Sequence, residues 1–247
     1  MYRFFVEPEA CGGENIRITG EDRNHIKNVL RLKCGEQITV SNGCDREYIC
    51  EIIAYTESEV LVRILDVLGS NAELPTEITL YQGFPKADKM ELIIQKAVEL
   101  GAVRIVPVMT KRTIVKLDEK KAAKRLERYN AIALSAAKQS KRGRIPMVER
   151  VMSFQEAVED AKKSDMNLIP YEDAKGLEHS KAVIHQVKGK KTLGIFIGPE
   201  GGFEEQEVEA VKAIGGECIT LGHRILRTET AGMTLLSILM FELEEDD

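Results

Sequence analysis

The segment "GIFIGPEGGFEEQEVE", Gly194–Glu209, joins an apolar, strand-like run to a glycine loop and then to a helix-like segment. A strand, a glycine loop and a helix in this order are typical of α/β domains that bind a nucleotide phosphate at the helix N-terminus. Glu204, Glu205 and Glu207, however, stand where the charge of a phosphate would lie. The loop therefore predicts an α/β domain, but its charge argues against a phosphate ligand.

The rest of the chain supports this fold class and indicates a second domain. After the polar linker candidate "GSNAELPTE", strand-like runs such as "EITLYQGF", "VRIVPVMT" and "MNLIPYE" alternate with helical patterns, which predicts a largely parallel sheet. Before it, short strands with turn residues surround one short helix, a pattern typical of a small β-barrel. We expect a barrel domain at residues 1–72 and an α/β domain at residues 73–247.

Composition restricts the class of protein. The chain of 247 residues has five cysteines without a C-x-x-C pair and four scattered histidines, so we expect no metal site and reduced thiols in a cytoplasmic protein. The charged N-terminus argues against a signal peptide, and the run "MTLLSILMF" is too short to span a bilayer.

Charge is distributed unevenly along the chain. The net charge is −5, yet residues 80–145 carry 16 basic and 6 acidic residues, a net of +10, whereas residues 199–247 carry 3 and 12, a net of −9. A basic segment in an acidic chain is the expected footprint of a polyanion-binding face. The candidates for contacts to RNA, from this segment and the N-terminal domain, are Arg3, Arg23, Lys27, Arg31, Lys33, Lys86, Lys89, Lys111, Arg112, Lys138, Gln139, Lys141, Arg142 and Arg144.

Three strand ends near the C-terminus form the candidate ligand site. These ends, residues 169–172, 197–202 and 221–231, supply close backbone approach through glycines rather than nucleophiles. There is no P-loop, which argues against a nucleotide hydrolase. Two interpretations of the acidic residues remain open: they suit a cationic ligand without phosphates, such as S-adenosylmethionine, or they only stabilise the helix start. Under the first, a β-branched side chain at Gly201 is expected to exclude the ligand.

The sequences of these motifs closely resemble those of the RsmE family of the SPOUT superfamily. Members of this family are bacterial methyltransferases that modify a uridine of 16S ribosomal RNA. The resemblance rests on "IGPEGGFEEQEVE" with "LGHRILRTETA" about twenty residues later, and it extends to "HIKNVLRLKCGEQITV", "PKADKMELIIQKAVELG" and "KQSKRGRIP". One position departs from the family pattern, since Lys138 stands before Gln139 where an acidic residue is expected.

The resemblance implies a fold, a cofactor and an assembly. We expect an N-terminal PUA-like β-barrel, a C-terminal domain knotted as a trefoil, a homodimer, S-adenosylmethionine as cofactor and the small ribosomal subunit as partner. The apolar final helix is a candidate dimer interface, although burial within its own subunit explains it as well. The cofactor loops carry over to Pro170, Tyr171, Ile197, Gly198, Pro199, Glu200, Gly201, Gly202, Leu221, Gly222, Ile225, Leu226 and Arg227.

The chemistry implied is methyl transfer to N3 of uridine, which needs loss of the imide proton and stabilisation of the resulting anion on O2 and O4. Arg227 is the first candidate for hydrogen bonding a uracil oxygen and Arg142 the second. Glu229 is a candidate for the proton acceptor, or for bracing the loop. Two rivals stay open: an RNA methyltransferase with another target atom, and a non-catalytic RNA-binding module for ribosome assembly.

Overall fold

The computed structural model describes residues 1–44, 46–69, 72–86, 89–114, 119–172 and 176–244, and residues 119–121 by their backbone alone. Its contacts divide the chain into an N-terminal unit, Met1–Glu73 with Ala137–Ile145, and a C-terminal unit, Leu74–Ala136 with Pro146–Asp247. The first unit thus includes the segment Ala137–Ile145, which the sequence analysis placed in the second domain. Hydrogen bonds of 2.5 Å from Ser41 Oγ to Gly143 O and of 3.3 Å from Ile145 N to Gly43 O hold it there.

The N-terminal unit is built on one curled sheet of five strands. Its strands are β1 (Arg3–Phe5), β2 (Asn15–Thr19), β3 (Gln37–Ser41), β4 (Arg46–Tyr55) and β5 (Glu59–Gly69). The order is β1-β3-β4-β5-β2, with only the β1–β3 pair parallel. Register shifts in β4 bend the sheet. The unit is therefore a curled sheet, or half-barrel, and not the closed barrel that the sequence predicted, because the edge strands β1 and β2 do not pair with each other in the described chain.

Two local features of this unit differ from the sequence prediction. Strand β2 was missed, because it has only two apolar residues, although Ile16 and Ile18 alternate and are both buried. The expected single helix is α1 (Gly20–Asn24) followed by a π-helical turn, His25–Val29. The wider turn buries Ile26 and leaves Val29 62% exposed, so Val29 is not a core residue.

The C-terminal unit contains a parallel sheet of seven strands, which confirms the predicted α/β class. These are β6 (Glu77–Gly83), β7 (Ala102–Met109), β8 (Met147–Val148), β9 (Met152–Ser153), β10 (Met166–Pro170), β11 (Thr192–Ile197) and β12 (Glu217–Ile219). The order is β12-β10-β11-β6-β7-β8, with β9 also on β7, and every pair is parallel.

Helices cover both faces of this sheet. They are α2 (Lys89–Glu99), α3 (Glu119–Gln139), α4 (Phe154–Ala161), α5 (Leu177–His185), α6 (Glu205–Ala213) and α7 (Thr228–Leu243). Helices α4 and α6 pack together over the stacked rings of Tyr81 and Phe196, while α7 contacts α2 and α5. The predicted capping box of Ser153 and Glu156 begins α4. None of the helices in the described ranges is both long and apolar enough to cross a membrane.

The parallel arrangement decides where a site forms. Because the strands run the same way, the loops after β6, β7, β10, β11 and β12 all open at one edge of the sheet. Helix α7 begins at this edge and returns across β11 toward α2. The three loops singled out in the sequence, residues 169–172, 197–202 and 221–231, are therefore brought together.

Candidate functional site

Two cavities lie at the carboxyl edge of the parallel sheet. The larger has a volume of about 680 Å³ and is bounded by the loops after β10 and β11 and by residues 225–228. The smaller, about 450 Å³, lies between the loop after β10 and residues 220–226. They share a wall formed by Pro170–Glu172, Ile225, Leu226 and Ala231. All thirteen residues predicted to bind the cofactor line one cavity or the other.

The glycine loop after β11 is held by a buried chain of hydrogen bonds. Gln82 Nε2 donates to Thr228 Oγ1 at 2.8 Å, and Thr228 Oγ1 donates to the carbonyl of Gly198 at 2.6 Å. Gln82 and Thr228 are both buried. The chain of bonds connects the end of β6, the first residue of α7 and the glycine loop, so three segments of the site share one anchor.

The same loop also closes on itself and on the end of β6. Gly202 N donates to Pro199 O at 2.9 Å, and Gly202 takes a left-handed φ of 68° that favours glycine. A Cβ at Gly83 would lie 2.5 Å from Pro199 Cδ. The loop can approach β6 this closely only because residue 83 has no side chain.

A lysine bridges two carboxylates at the rim of the larger cavity. Lys89 Nζ lies 3.3 Å from Glu200 Oε1 and 3.2 Å from Glu229 Oε2, and Glu200 also accepts from the backbone N–H of Lys86. Burial opposes the charges of Glu200 and Glu229, but hydrogen bonds from backbone N–H groups and Lys89 outweigh it, and each pKa is lowered. A carboxylate with a lowered pKa is a weak proton acceptor, so Glu229 is better suited to bracing the loop than to acting as a base.

Arg227, the first candidate for hydrogen bonding the substrate, lies at the start of α7 beside the larger cavity. It is the residue before α7, its side chain is exposed, and it lines the larger cavity. In the described part of the chain, no carboxylate is within ion-pair distance of its guanidinium. Arg224 is exposed in the same loop, but it lines the smaller cavity. Arg227 therefore has a guanidinium available to a substrate in the larger cavity.

The acidic start of α6 does not face the cavities. Glu204 and Glu207 form a capping box at the start of α6, and the buried Glu207 also accepts the backbone N–H of Lys111 at 2.9 Å. Neither residue lines a cavity, and neither does Glu205. These carboxylates stabilise structure, so the electrostatic argument for a cationic ligand rests instead on Glu172 and Glu200, which do line the larger cavity.

Arg142 is not among the residues that line either cavity. It is buried in the N-terminal unit, with its side chain 3% exposed, and its guanidinium pairs through two nitrogens with the carboxylate of Glu73. A guanidinium held in this way serves to fix the segment Ala137–Ile145. The structure therefore contradicts Arg142 as a catalytic and as an RNA-contacting residue.

The other candidates for RNA contacts fall into two groups. Several have internal partners: Lys138 pairs with Asp22 at 2.7 Å, Arg3 with Glu47 at 2.7 Å, Arg23 donates to Thr56 O, Lys27 lies over the Tyr55 ring, and Lys89 bridges Glu200 and Glu229. Lys111 and Arg112 are exposed but also have partners, Gln206 and Glu204 for Lys111 and the carbonyl of Gly201 for Arg112. The other exposed candidates are Arg31, Lys33, Lys86, Gln139 and Lys141, while Arg144 is half-buried. Lys138, which departs from the family pattern, is thus the partner of an acidic side chain in the same unit.

Sequence analysis missed Gln82, Thr228 and Gly83. Gln82 has a detectable signal, since it is the single amide of β6 and stands near the carboxyl end of the strand, which lies at the site. Thr228 and Gly83 have no such signal in the sequence, because the residues that they contact are distant along the chain. Among the described residues, no group of three or more His, Cys, Asp or Glu side chains could hold a metal ion.

Comparison with known proteins agrees with this architecture. A family model described as an RNA methyltransferase domain matches residues 72–240, and one described as an RNA methyltransferase PUA domain matches residues 18–65. The ribosomal RNA small subunit methyltransferase E of Bacillus subtilis (strain 168) is 37% identical over 99% of this chain and 98% of its own.

Solved structures extend the similarity to proteins with a bound ligand. A ribosomal RNA small subunit methyltransferase E from Neisseria gonorrhoeae, bound to S-adenosylmethionine, is 31% identical with a TM-score of 0.82, over 98% of this chain and 97% of that one. A putative methyltransferase from Legionella pneumophila, with the same cofactor bound, is 34% identical with a TM-score of 0.81, over 96% of each chain. On this full-length similarity, the chain belongs to the ribosomal RNA small subunit methyltransferase E family, the RsmE family whose motifs its glycine loops carry.

Proposed function

We propose that this protein uses S-adenosylmethionine to methylate N3 of a uridine in the 16S ribosomal RNA of the small subunit. The observation that carries the proposal is the convergence of thirteen motif residues, with Arg227 among them, on two adjoining cavities. The named relatives are ribosomal RNA small subunit methyltransferases, and two solved relatives hold S-adenosylmethionine.

The cavities suit this cofactor. It is an adenosine without phosphates, and when bound it supplies an electrophilic methyl group on a positive sulfonium. The loop residues offer backbone hydrogen-bonding groups, while Glu172 and Glu200 provide carboxylates near the larger cavity. We assign the cofactor to the thirteen residues, with Ile225, Leu226 and Pro170 as the shared apolar wall.

Arg227 would stabilise the negative charge that forms on the uracil ring during the reaction. Uracil N3 becomes nucleophilic when its proton leaves to water, and the anion then spreads onto O2 and O4. A guanidinium beside either oxygen stabilises that anion and lowers the pKa of N3. Lys89 is less suited to this role because it already pairs with Glu200 and Glu229.

The test is methylation of small-subunit ribosomal RNA that lacks the modification, followed by mass spectrometry of its nucleosides. We expect 3-methyluridine, and another methylated nucleoside would contradict the assignment of N3. Arg227→Ala should lower kcat by about two to three orders of magnitude, as for loss of one preorganised donor. Arg224→Ala, in the same exposed loop, is the matched control. If Arg227→Ala turns over at the wild-type rate, Arg227 does not stabilise the anion.

The chain path supports a trefoil knot in the C-terminal domain. After β12 at one edge of the sheet, residues 220–227 return past the ends of β10 and β11, and Thr228 then bonds to Gly198 O next to β6. We propose that this passage threads the loops.

We also propose a cytoplasmic homodimer in which α7 is the interface, since Phe241 is 84% exposed and Ile238 lies beside it on the helix surface. Phe241→Glu should give monomers in sedimentation experiments.

We further propose that residues 1–72 provide an RNA-binding domain and residues 73–247 the catalytic one. The exposed Arg31, Lys33 and Lys141 support a basic surface on the N-terminal unit. Because this unit also contains Ala137–Ile145, charge reversal at Lys33 and Lys141 is a better test than deletion of the N-terminal residues. Reversal should weaken RNA affinity and leave cofactor affinity unchanged.

A further inference from the structure

A tight turn, Thr110–Thr113, follows β7 at the same edge of the sheet as the cavities. Thr113 N donates to Thr110 O at 3.1 Å, and Thr110 N donates to Thr113 Oγ1 at 3.0 Å. These bonds close the turn on itself. The two residues between them, Lys111 and Arg112, are exposed and therefore have a fixed backbone beneath them.

The turn is docked on the acidic start of α6. The backbone N–H of Lys111 donates to Glu207 Oε1 at 2.9 Å, and its Nζ donates to Gln206 at 2.8 Å and lies 3.3 Å from Glu204 Oε2. The second oxygen of Glu207 accepts the backbone N–H of Glu204 at 2.9 Å. One buried carboxylate thus fixes the start of α6 and the turn together.

Arg112 extends from this turn across the glycine loop. Its NH1 donates to Gly201 O at 2.7 Å, and a Cβ built on Gly201 would lie 3.2 Å from Arg112 Cβ and 3.4 Å from Cδ. The aliphatic part of Arg112 therefore lies on the bare Cα of Gly201. The guanidinium stands at the rim of the larger cavity.

We propose that Arg112 binds a backbone phosphate of the RNA next to the target nucleotide, and that Glu207 is the positioning residue that holds Arg112 there. The inference rests on the proposed RNA substrate. A guanidinium is repelled by a sulfonium, so its position favours the RNA rather than the cofactor as its partner. The bond to Gly201 O uses one N–H of Arg112 and orients the plane of its guanidinium. The remaining N–H groups of the guanidinium match two oxygens of a phosphate.

The experiment compares Arg112→Ala, Glu207→Gln and the double variant. Glutamine has one acceptor oxygen where Glu207 uses two, so one of its two backbone contacts is lost. Glu205→Gln is the control, because it makes the same charge change in the same helical turn on an exposed side chain that bonds to no described residue. The measurements are KM and kcat with small-subunit ribosomal RNA, and S-adenosylmethionine affinity by titration calorimetry.

We expect Arg112→Ala to raise KM for RNA about tenfold, the effect of one charge-assisted hydrogen bond. On a single strand it should also reduce the log–log salt slope of RNA binding by about 0.7. Cofactor affinity should not change. Glu207→Gln should raise KM in the same direction, and the double variant should match Arg112→Ala alone, because the two residues act through one contact.

Additive effects in the double variant would overturn the positioning role of Glu207, and an unchanged KM in Arg112→Ala would overturn the phosphate contact. If Glu207→Gln fails to fold, Thr113→Val loosens the same turn without touching α6 and should also raise KM. A wild-type protein that neither binds S-adenosylmethionine nor methylates ribosomal RNA would instead refute the proposed function.

Discussion

The buried hydroxyl of Thr228 offers a direct test of how the glycine loop is held. In Thr228→Val the side chain keeps its shape but loses both the bond that it donates to Gly198 O and the bond that it accepts from Gln82 Nε2. Gln82 keeps its 3.0 Å bond to the carbonyl of Gly83, whereas Gly198 O loses its partner. The variant therefore removes the anchor without creating a cavity.

The size of the effect follows from these contacts. An unsatisfied buried acceptor costs about 1–3 kcal/mol, and the partly satisfied amide of Gln82 adds less. We expect the free energy of unfolding to fall by about 2 kcal/mol, which for a domain of this size lowers Tm by roughly 4–8 °C. Binding must then also order the loop. If ordering the glycine loop on binding costs about 1.4 kcal/mol, S-adenosylmethionine affinity falls about tenfold.

Urea denaturation and titration calorimetry measure the two quantities. The matched control is Thr234→Val, a half-buried threonine further along α7 whose side chain bonds to no described residue. The control should change neither quantity. Wild-type stability and wild-type affinity in Thr228→Val would refute the anchoring role, and an equal loss in Thr234→Val would show that the helix, rather than the hydroxyl, is being perturbed.

Two further predictions concern charged pairs. Arg142→Ala should lower the free energy of unfolding by about 3 kcal/mol, because the carboxylate of Glu73 loses its counter-ion and keeps only the backbone N–H groups of Gly143 and Arg144. The kcat of the folded protein should stay within about twofold of wild type. Burial of Asp160 opposes its charge, but hydrogen bonds from Arg104 and Tyr81 outweigh this effect and lower the pKa of the carboxyl group. The charged carboxylate therefore stabilises the fold above about pH 4, and this stabilisation is lost as the pH falls further. Asp160→Asn should therefore be less stable than wild type at pH 7, and urea denaturation at pH 3 should show a smaller difference.

The parts of the site that could be predicted are those formed by contiguous loops. In a parallel sheet the carboxyl ends share one edge, so motifs after β10, β11 and β12 must meet there whatever the details of packing. That rule, with the family motifs, was sufficient to identify the thirteen residues around the two cavities.

The parts that could not be predicted depend on partners far away in the chain. Arg142 and Lys138 belong to a basic segment, and charge alone does not distinguish a buried ion pair from a cation exposed to RNA. Their partners, Glu73 and Asp22, lie in a different part of the sequence, and they become neighbours only because Ala137–Ile145 joins the N-terminal unit. The anchor formed by Gln82 and Thr228 is of the same kind, since these two residues are far apart in the chain.

Gly201 shows how tertiary contacts change the expected consequence of a substitution. From sequence, a β-branched side chain at Gly201 was expected to exclude the cofactor. In the structure, a Cβ at this position meets Arg112, and φ at Gly201 is not in the left-handed region, so alanine is compatible with the backbone. The backbone groups of Gly201 that we assign to the cofactor are kept in Gly201→Ala, whereas the atoms nearest to the added methyl group all belong to Arg112. The variant should therefore displace Arg112 by a few tenths of an ångström, raise KM for RNA severalfold and leave S-adenosylmethionine affinity unchanged. The measurement is a calorimetric titration beside RNA kinetics, with Gly13→Ala as control, because Gly13 is exposed, has no atom near its Cβ and, like Gly201, has no left-handed φ. A loss of cofactor affinity in Gly201→Ala with unchanged KM for RNA would show that even a methyl group at this position excludes the cofactor, and that Arg112 does not depend on Gly201.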